Sequence, residues 1–231
     1  MLLLERLLQM DLEKIWDESF QQAVTEVTEK TGTAPDSWRV GGRASKANPD
    51  KENGTWWYAN GKEMFQTFID SWRNQKFQVW QAPDGNYGIE MEFNVMFGDS
   101  LIKAFPDAIV VMPTGELAVV DFKTGSYTPD SGMQLGLYAS CIESVFGIRP
   151  TRGFFYSARK AEFIEVFDLN RWTIPVFTAL FKDFNTALNN QIFLPNIGMA
   201  CSTCGVADYC YAKGGQLAEL YDPLTQTNKG E

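Results

Sequence analysis

The chain contains no histidine in its 231 residues. That excludes every mechanism built on an imidazole base and every zinc site of mixed cysteine–histidine type. It has no apolar run of about 18 residues, so no membrane-spanning helix is expected. Basic residues are in deficit: 20 Lys and Arg stand against 29 Asp and Glu, a formal charge of −9. A protein that coats nucleic acid without specificity carries the opposite excess. The acidic total still leaves room for a local basic strip that guides a phosphate backbone, and for carboxylates that collect divalent cations. Cysteine is scarce, at 141, 201, 204 and 210 only. The opening Met1–Leu8 stretch is apolar but is broken by Glu5 and Arg6 and followed by Asp11, Glu13 and Lys14. It reads as an amphipathic helix rather than a secretory signal. A cytoplasmic location is the default, and in that compartment clustered thiols point to a metal or cluster before disulfides.

What the chain has in quantity is apolar bulk. Hydrophobic residues make up 45%, with seven Trp and seventeen Phe, which predicts a packed, aromatic-rich interior rather than disorder. The length suits one domain with embellishments. Leu4, Leu7, Leu8, Leu12, Ile15, Trp16, Phe20, Ala23, Val24 and Val27 recur at helical spacing up to Gly32 and Pro35. Residues 32–55 read as a loop, and Met64, Phe65, Phe68, Ile69 and Trp72 place a second helix over 56–75.

The period then changes from helix to strand. Residues 88–97 alternate, with Ile89, Met91, Phe93 and Val95 on one face and Glu90, Glu92 and Asn94 on the other. A turn at 97–100 leads to an apolar run over 101–112, and a turn at 113–116 leads to Leu117–Lys123. Three strands joined by two tight turns predict an antiparallel meander. Helix is expected over 131–146, a strand pair over 152–158 and 162–168, and a Phe-rich helix over 170–190. The fold class is therefore α+β, or mixed α/β, with no internal repeat. The expected divisions are a helical region over 1–75, a core over 76–192 and a cysteine segment with tail over 193–231.

Asp107 and Asp121 lie on either side of the turn at 113–116, so an antiparallel hairpin brings both to one end of the sheet. Residues two apart in a strand share a face, so Asp121 and Lys123 point together while Phe122 points to the core. Two carboxylates at one spot among apolar residues repel and desolvate one another unless a cation neutralises them. Mg²⁺ or Mn²⁺ suits such a site. A bound divalent ion activates water and balances charge on a phosphoryl oxygen, and a lysine steadies the phosphate. None of this needs histidine. The plainer reading of Asp-x-Lys at a strand end is a solvated ion pair, worth about 0–1 kcal/mol.

Asp107-Ala108-Ile109, then Asp121-Phe122-Lys123-Thr124-Gly125, then Gln134-Leu135-Gly136-Leu137-Tyr138-Ala139 resembles the PD-(D/E)XK nuclease superfamily. It resembles most the RecB-like exonucleases, including the CRISPR-associated and phage-encoded members that carry an iron–sulfur cluster. The resemblance covers about residues 56–212 and implies a restriction-endonuclease-like core and metal-dependent DNA cleavage. It places metal binding on Asp107 and Asp121 and catalysis on Lys123, with Gln134 and Tyr138 completing the site from one helix face. Glu90-Met91-Glu92-Phe93 is similar to the strand motif that precedes the aspartate, with Glu90 the best match and Glu92 its neighbour.

Cys201-Ser-Thr-Cys204, five residues, then Cys210 resembles the cysteine triplet of the cluster-bearing members, where a fourth, earlier cysteine completes a [4Fe–4S] site. Zinc is the alternative ion. No cysteine precedes Cys141 here, and the family's early Gly-x-x-x-His motif has no counterpart in a chain without histidine. Either a leading segment with both features is missing, or Cys141 supplies the fourth thiolate; a buried Cys141 is the competing reading.

The expected partners are DNA ends or single strands, together with recombination, CRISPR or phage-replication proteins, and no membrane. Arg149, Arg152, Arg159 and Lys160 are candidates for phosphate contacts or for a solvated surface. Two other classes stay open: a catalytically inactive DNA- or partner-binding module that keeps the fold and a cysteine-bound cluster, and a structural cysteine–metal protein.

Overall fold

Strand parity decides which side chains meet which layer. In the computed structural model, which describes residues 11–38, 52–166, 169–192 and 194–218, a five-stranded sheet has the order β1-β4-β5-β6-β7. Its strands are β1 (Gln78–Val79), β4 (Ala108–Val111), β5 (Leu117–Lys123), β6 (Arg152–Ser157) and β7 (Glu162–Glu165). Ile109, Val119 and Phe155 face one layer with Leu135, Ala139, Ile142 and Phe177. Ala108, Val110, Ala118, Val120 and Phe154 face the other with Trp72 and Phe77. Ala118, Val119 and Val120 are all fully buried, as a strand covered on both faces requires.

Four α-helices supply the layers among the described residues: α1 (Leu12–Thr31), α2 (Gly54–Gln75), α3 (Met133–Phe146) and α4 (Ile174–Asn189). Asp11 caps α1 by accepting from the Lys14 N–H, and Gly32 ends it in the left-handed conformation. α1 buries no residue of its own and leans on α2 through Trp16. The indole fits because position 61 is glycine: a Cβ there would stand 2.4 Å from Trp16 Cη2. α2, capped by Asn53, lays Phe68 and Trp72 against Phe122 at ring separations of 5.1 and 6.3 Å. α3 joins β5 to its parallel neighbour β6, a crossover that a short turn cannot make. The contacts divide the chain into two compact units between Phe181 and Lys182, within α4. The second unit contains short 3₁₀ helices at Met199–Thr203, Ala207–Tyr209 and Tyr211–Lys213. Among the described residues no helix is long and apolar enough to cross a membrane.

The mixed α+β architecture agrees with the sequence reading, but the meander is divided. β2 (Phe93–Phe97) and β3 (Ser100–Ala104) form a separate two-stranded sheet, with Phe93, Val95 and Phe97 buried. The run read as one strand over 101–112 breaks at Phe105-Pro106-Asp107. Proline has no N–H to give a ladder, so the chain changes sheets there. Residues 88–92 do not extend β2 either, since Glu90 has φ 45° and Ile89 is exposed. The helical positions Leu4, Leu7 and Leu8, and most of the loop expected over 32–55, lie outside the described residues.

Candidate active site

β4 and β5 pair Ala108 with Val120, so one further step in the same register sets Asp107 opposite Asp121. β4 has ended by then. Asp121, Phe122 and Lys123 consequently have a sheet neighbour on one side only, β6. The Phe122 N–H, left without a ladder acceptor on the β4 side, donates to Asp107 Oδ2 at 2.5 Å. A carboxylate thus continues the sheet, and its orientation is fixed by the strand that carries the second carboxylate.

On the α3 face of the sheet, Lys123 Nζ lies 2.6 Å from Asp121 Oδ2. This buried oxygen has the ammonium as its counter-charge but no directed hydrogen bond. Gln134 closes the arrangement. Its Nε2 donates to Asp121 Oδ1 and to the Tyr138 hydroxyl, both at 2.9 Å, and its Oε1 accepts from Lys123 Nζ at 2.9 Å. Gln134 and Tyr138 meet because residues four apart share a helix face. Phe122 turns the other way, onto Phe68 and Tyr156.

The electrostatics follow from burial. Asp121 is 3% exposed. Desolvation pushes its carboxyl above the ordinary carboxylate range and the Asp107 charge pushes the same way, while Lys123 pulls it back. The Tyr138 phenol is also raised, first by burial and then by the two aspartates, against the Gln134 hydrogen bond. It therefore stays protonated at neutral pH and is no general base there. Like charges directly across a strand pair are destabilising, and a divalent cation relieves that repulsion. The donor set fits a hard ion: two carboxylates, one with a buried oxygen lacking a hydrogen bond, suit Mg²⁺ or Mn²⁺, which keeps several waters and takes one or two carboxylates from protein. Among the described residues no three His, Cys, Asp or Glu side chains stand close enough to hold a metal by themselves.

Asp107, Asp121, Lys123, Gln134 and Tyr138 are thus brought together. Glu90 arrives beside them by its backbone, donating its N–H to the Asp107 carbonyl at 3.1 Å. Glu92 is turned to Lys103 at 2.9 Å and to Asn94 at 2.7 Å, while Glu90, at φ 45°, lacks the extended backbone on which a shared strand face rests. Three of the four candidate phosphate contacts are engaged within the chain. Arg149 binds Glu143 and the Trp172 carbonyl, Arg152 pairs with Glu165, and Arg159 forks onto Glu52. Lys160 is more exposed, 3.8 Å from Glu162. Glu52 carries no sequence signal, since it sits in a stretch rich in Asn, Lys and Gly.

Cys141 is fully buried on α3, and burial pushes its thiol up to about 12. In the metal-free chain it is a protonated core side chain. Cys201, Cys204 and Cys210 are free and at least partly exposed, in the second compact unit.

The profile of the PD-(D/E)XK nuclease superfamily matches residues 2–211. The chain is 31% identical over 161 residues to the Gene 69 protein of Mycobacterium phage D29, a match covering 66% of this chain and 58% of that protein. It is 29% identical over 177 residues to the Gene 69 protein of Mycobacterium phage L5, covering 66% and 59%. The chain therefore spans less than two thirds of the length of these relatives. With the profile matched over most of its residues, and two aspartates and a lysine gathered at the end of β5, the chain belongs to the PD-(D/E)XK nuclease superfamily.

Proposed function

We propose that the chain is a Mg²⁺- or Mn²⁺-dependent DNA exonuclease of the RecB-like type. It acts on DNA ends or single strands in the cytoplasm, alongside recombination, CRISPR or phage-replication proteins. The observation that carries the reading is the closed network of Asp121, Lys123 and Gln134 set across the strand pair from Asp107. The chemistry is assigned to a core over 76–192. Asp107 and Asp121 would hold the divalent ion, which when bound supplies an acidified water and charge balance at the phosphate. Lys123 has three N–H donors, one given to Gln134, while its charge faces Asp121. A further N–H would orient the attacking water or bind a phosphoryl oxygen. Gln134 fixes the relative positions of Asp121 and Lys123, Tyr138 anchors Gln134, and Glu90 adds negative charge beside Asp107.

The test is cleavage of end-labelled linear DNA, single strands and closed circular DNA by the purified protein. The expected result is metal-dependent release of label from ends, no cutting of closed circles, and loss of activity in Asp121→Ala and Lys123→Ala. Unchanged cleavage in those two variants, or none by the wild type with either metal, overturns the assignment.

For Cys201, Cys204 and Cys210 we propose ligation of a [4Fe–4S] cluster, with zinc as the alternative ion. As described, the three thiols do not form a ready ligand group, and a cubane takes four. A fourth donor is required, and no step of cleavage is routed through this site. Iron, sulfide and zinc analysis of anaerobically purified wild type and Cys201→Ala tests it; protein free of all three refutes it.

A further inference from the structure

Arg159, in the turn between β6 and β7, joins three segments distant in sequence. Its guanidinium forks onto the Glu52 carboxylate, Nη1 to Oε1 at 3.1 Å and Nη2 to Oε2 at 2.7 Å. Its Nε donates to the Thr124 carbonyl at 2.9 Å. The Trp56 and Trp57 rings lie against it, with centroids 5.7 and 5.2 Å from Cζ. Glu52, just before α2, is 3% exposed.

The place where this clasp closes matters for the site. Beyond Val120, β6 is the one strand paired with β5, and the Phe122 N–H has only the Asp107 carboxylate on the other side; a strand end paired on one side is where a sheet frays first. Two bonds from the β6–β7 turn hold that end. The Ala158 N–H donates to the Lys123 carbonyl at 2.9 Å, and Arg159 Nε holds the next carbonyl, that of Thr124. β5 ends at Lys123, so no later residue of the strand can restrain it. The aromatic and carboxylate seat fixes where Arg159 can place its Nε, because an arginine fork on a carboxylate is planar and directional.

We infer that Arg159, locked by Glu52 and the two indoles, is a positioning residue: it fixes the backbone at Lys123–Thr124 and so aims the Lys123 ammonium at Asp121 and Gln134. Its effect on catalysis rests on the nuclease reading above, whereas its effect on the strand end does not. A basic residue near a phosphate-cleaving site would ordinarily be assigned to the DNA backbone. Here the guanidinium is committed to a buried carboxylate, and loss of either partner strands the other's charge.

The experiment compares full-length wild type with R159K, R159Q and E52Q by two independent readouts. Amide hydrogen exchange follows Ala158 and residues 121–124, with α3 as the internal reference. Cleavage kinetics give kcat, KM and the salt dependence of DNA binding. The expected result is at least tenfold faster exchange at Ala158 and the β5 end with α3 protection unchanged. The same variants should show a tenfold or greater fall in kcat with KM and salt slope unaltered. R159K, which keeps the charge but not the fork, should behave like R159Q. Should R159Q not fold, R159K and E52Q decide the matter alone. Unchanged exchange at the strand end overturns the inference, as does full activity in R159K. A loss confined to DNA affinity, with the salt slope shallower by about one, marks a phosphate contact instead and overturns it too. If the wild type shows no metal-dependent cleavage, the nuclease reading fails, and the exchange data still judge the clasp.

Discussion

Replacing Gly136 by alanine perturbs the site without touching a polar group. Gly136 lies on α3 between Gln134 and Tyr138, and an added Cβ would stand 2.2 Å from Trp172 Cβ and 2.9 Å from its Cγ. Ordinary contact begins at about 3.4 Å, so α3 and the Trp172 segment must separate by about 1.2 Å. The indole cannot simply rotate aside, because the nearest atom is the Cβ that belongs to its backbone. The Trp172 carbonyl is also tied to Ser140 Oγ and Arg149 Nη2 at 3.1 and 2.9 Å. If α3 takes up the movement, Gln134 shifts by up to about 1.2 Å relative to Asp121, enough to disrupt their 2.9 Å bond. Overpacking of this kind destabilises by roughly 1–3 kcal/mol, a fall in Tm of about 2–4 °C per kcal/mol at this chain length. A displacement near 1 Å in a catalytic array lowers turnover by about 10²-fold. Thermal unfolding and single-turnover cleavage of G136A would measure both. A lowered Tm with kcat within threefold of wild type would show that Trp172 yields and the helix does not, refuting the reasoning.

Two further predictions concern α3. Gln134→Leu keeps the volume of the side chain but removes one hydrogen bond to each of two charged groups, Asp121 and Lys123. At about 1.5–3 kcal/mol per charged hydrogen bond, even one such loss in the transition state lowers kcat roughly ten- to a hundredfold; kinetics within threefold of wild type would contradict it. Cys141, raised by burial to about 12 from an ordinary 9.0, ties stability to alkaline pH. The unfolded chain releases that proton near 9 and the native state only near 12, so its contribution is intact below 9. It is lost as pH climbs through that window, at up to about 1.4 kcal/mol per unit. Comparison of Tm from pH 8 to 11 in wild type and Cys141→Ala checks this: the alkaline decline should be shallower in the variant, and parallel curves would refute it.

The helices and the central strands were legible because their apolar spacing is regular: α2 begins two residues before its expected start, and α3 spans 133–146 where 131–146 was expected. The juxtaposition of Asp107, Asp121 and Lys123 was legible for a related reason, since a turn midway between two strands fixes which residues lie opposite. What stayed hidden depends on the third dimension. The break at Pro106 interrupts a run that is apolar apart from Lys103 and Asp107, so the hydropathy continues on both sides of the point where the chain changes sheets. The separation of Glu90 from Glu92 comes from a positive φ at Glu90, which no glycine marks. The arginines look alike in sequence, yet Arg149 and Arg159 are committed to partners whose positions only the packing of α3 and α2 determines.

The central claim is that two aspartates bind one divalent ion while Lys123 acts on what that ion holds. Calorimetric titration of Mn²⁺ into metal-free wild type, D107N, D121N and K123A tests it most directly, with cleavage measured on the same preparations. The expected result is binding at the paired aspartates in the wild type, loss of that binding in D107N and D121N, and binding retained without cleavage in K123A. Undiminished Mn²⁺ affinity in either aspartate variant, or wild-type cleavage by K123A, would contradict it.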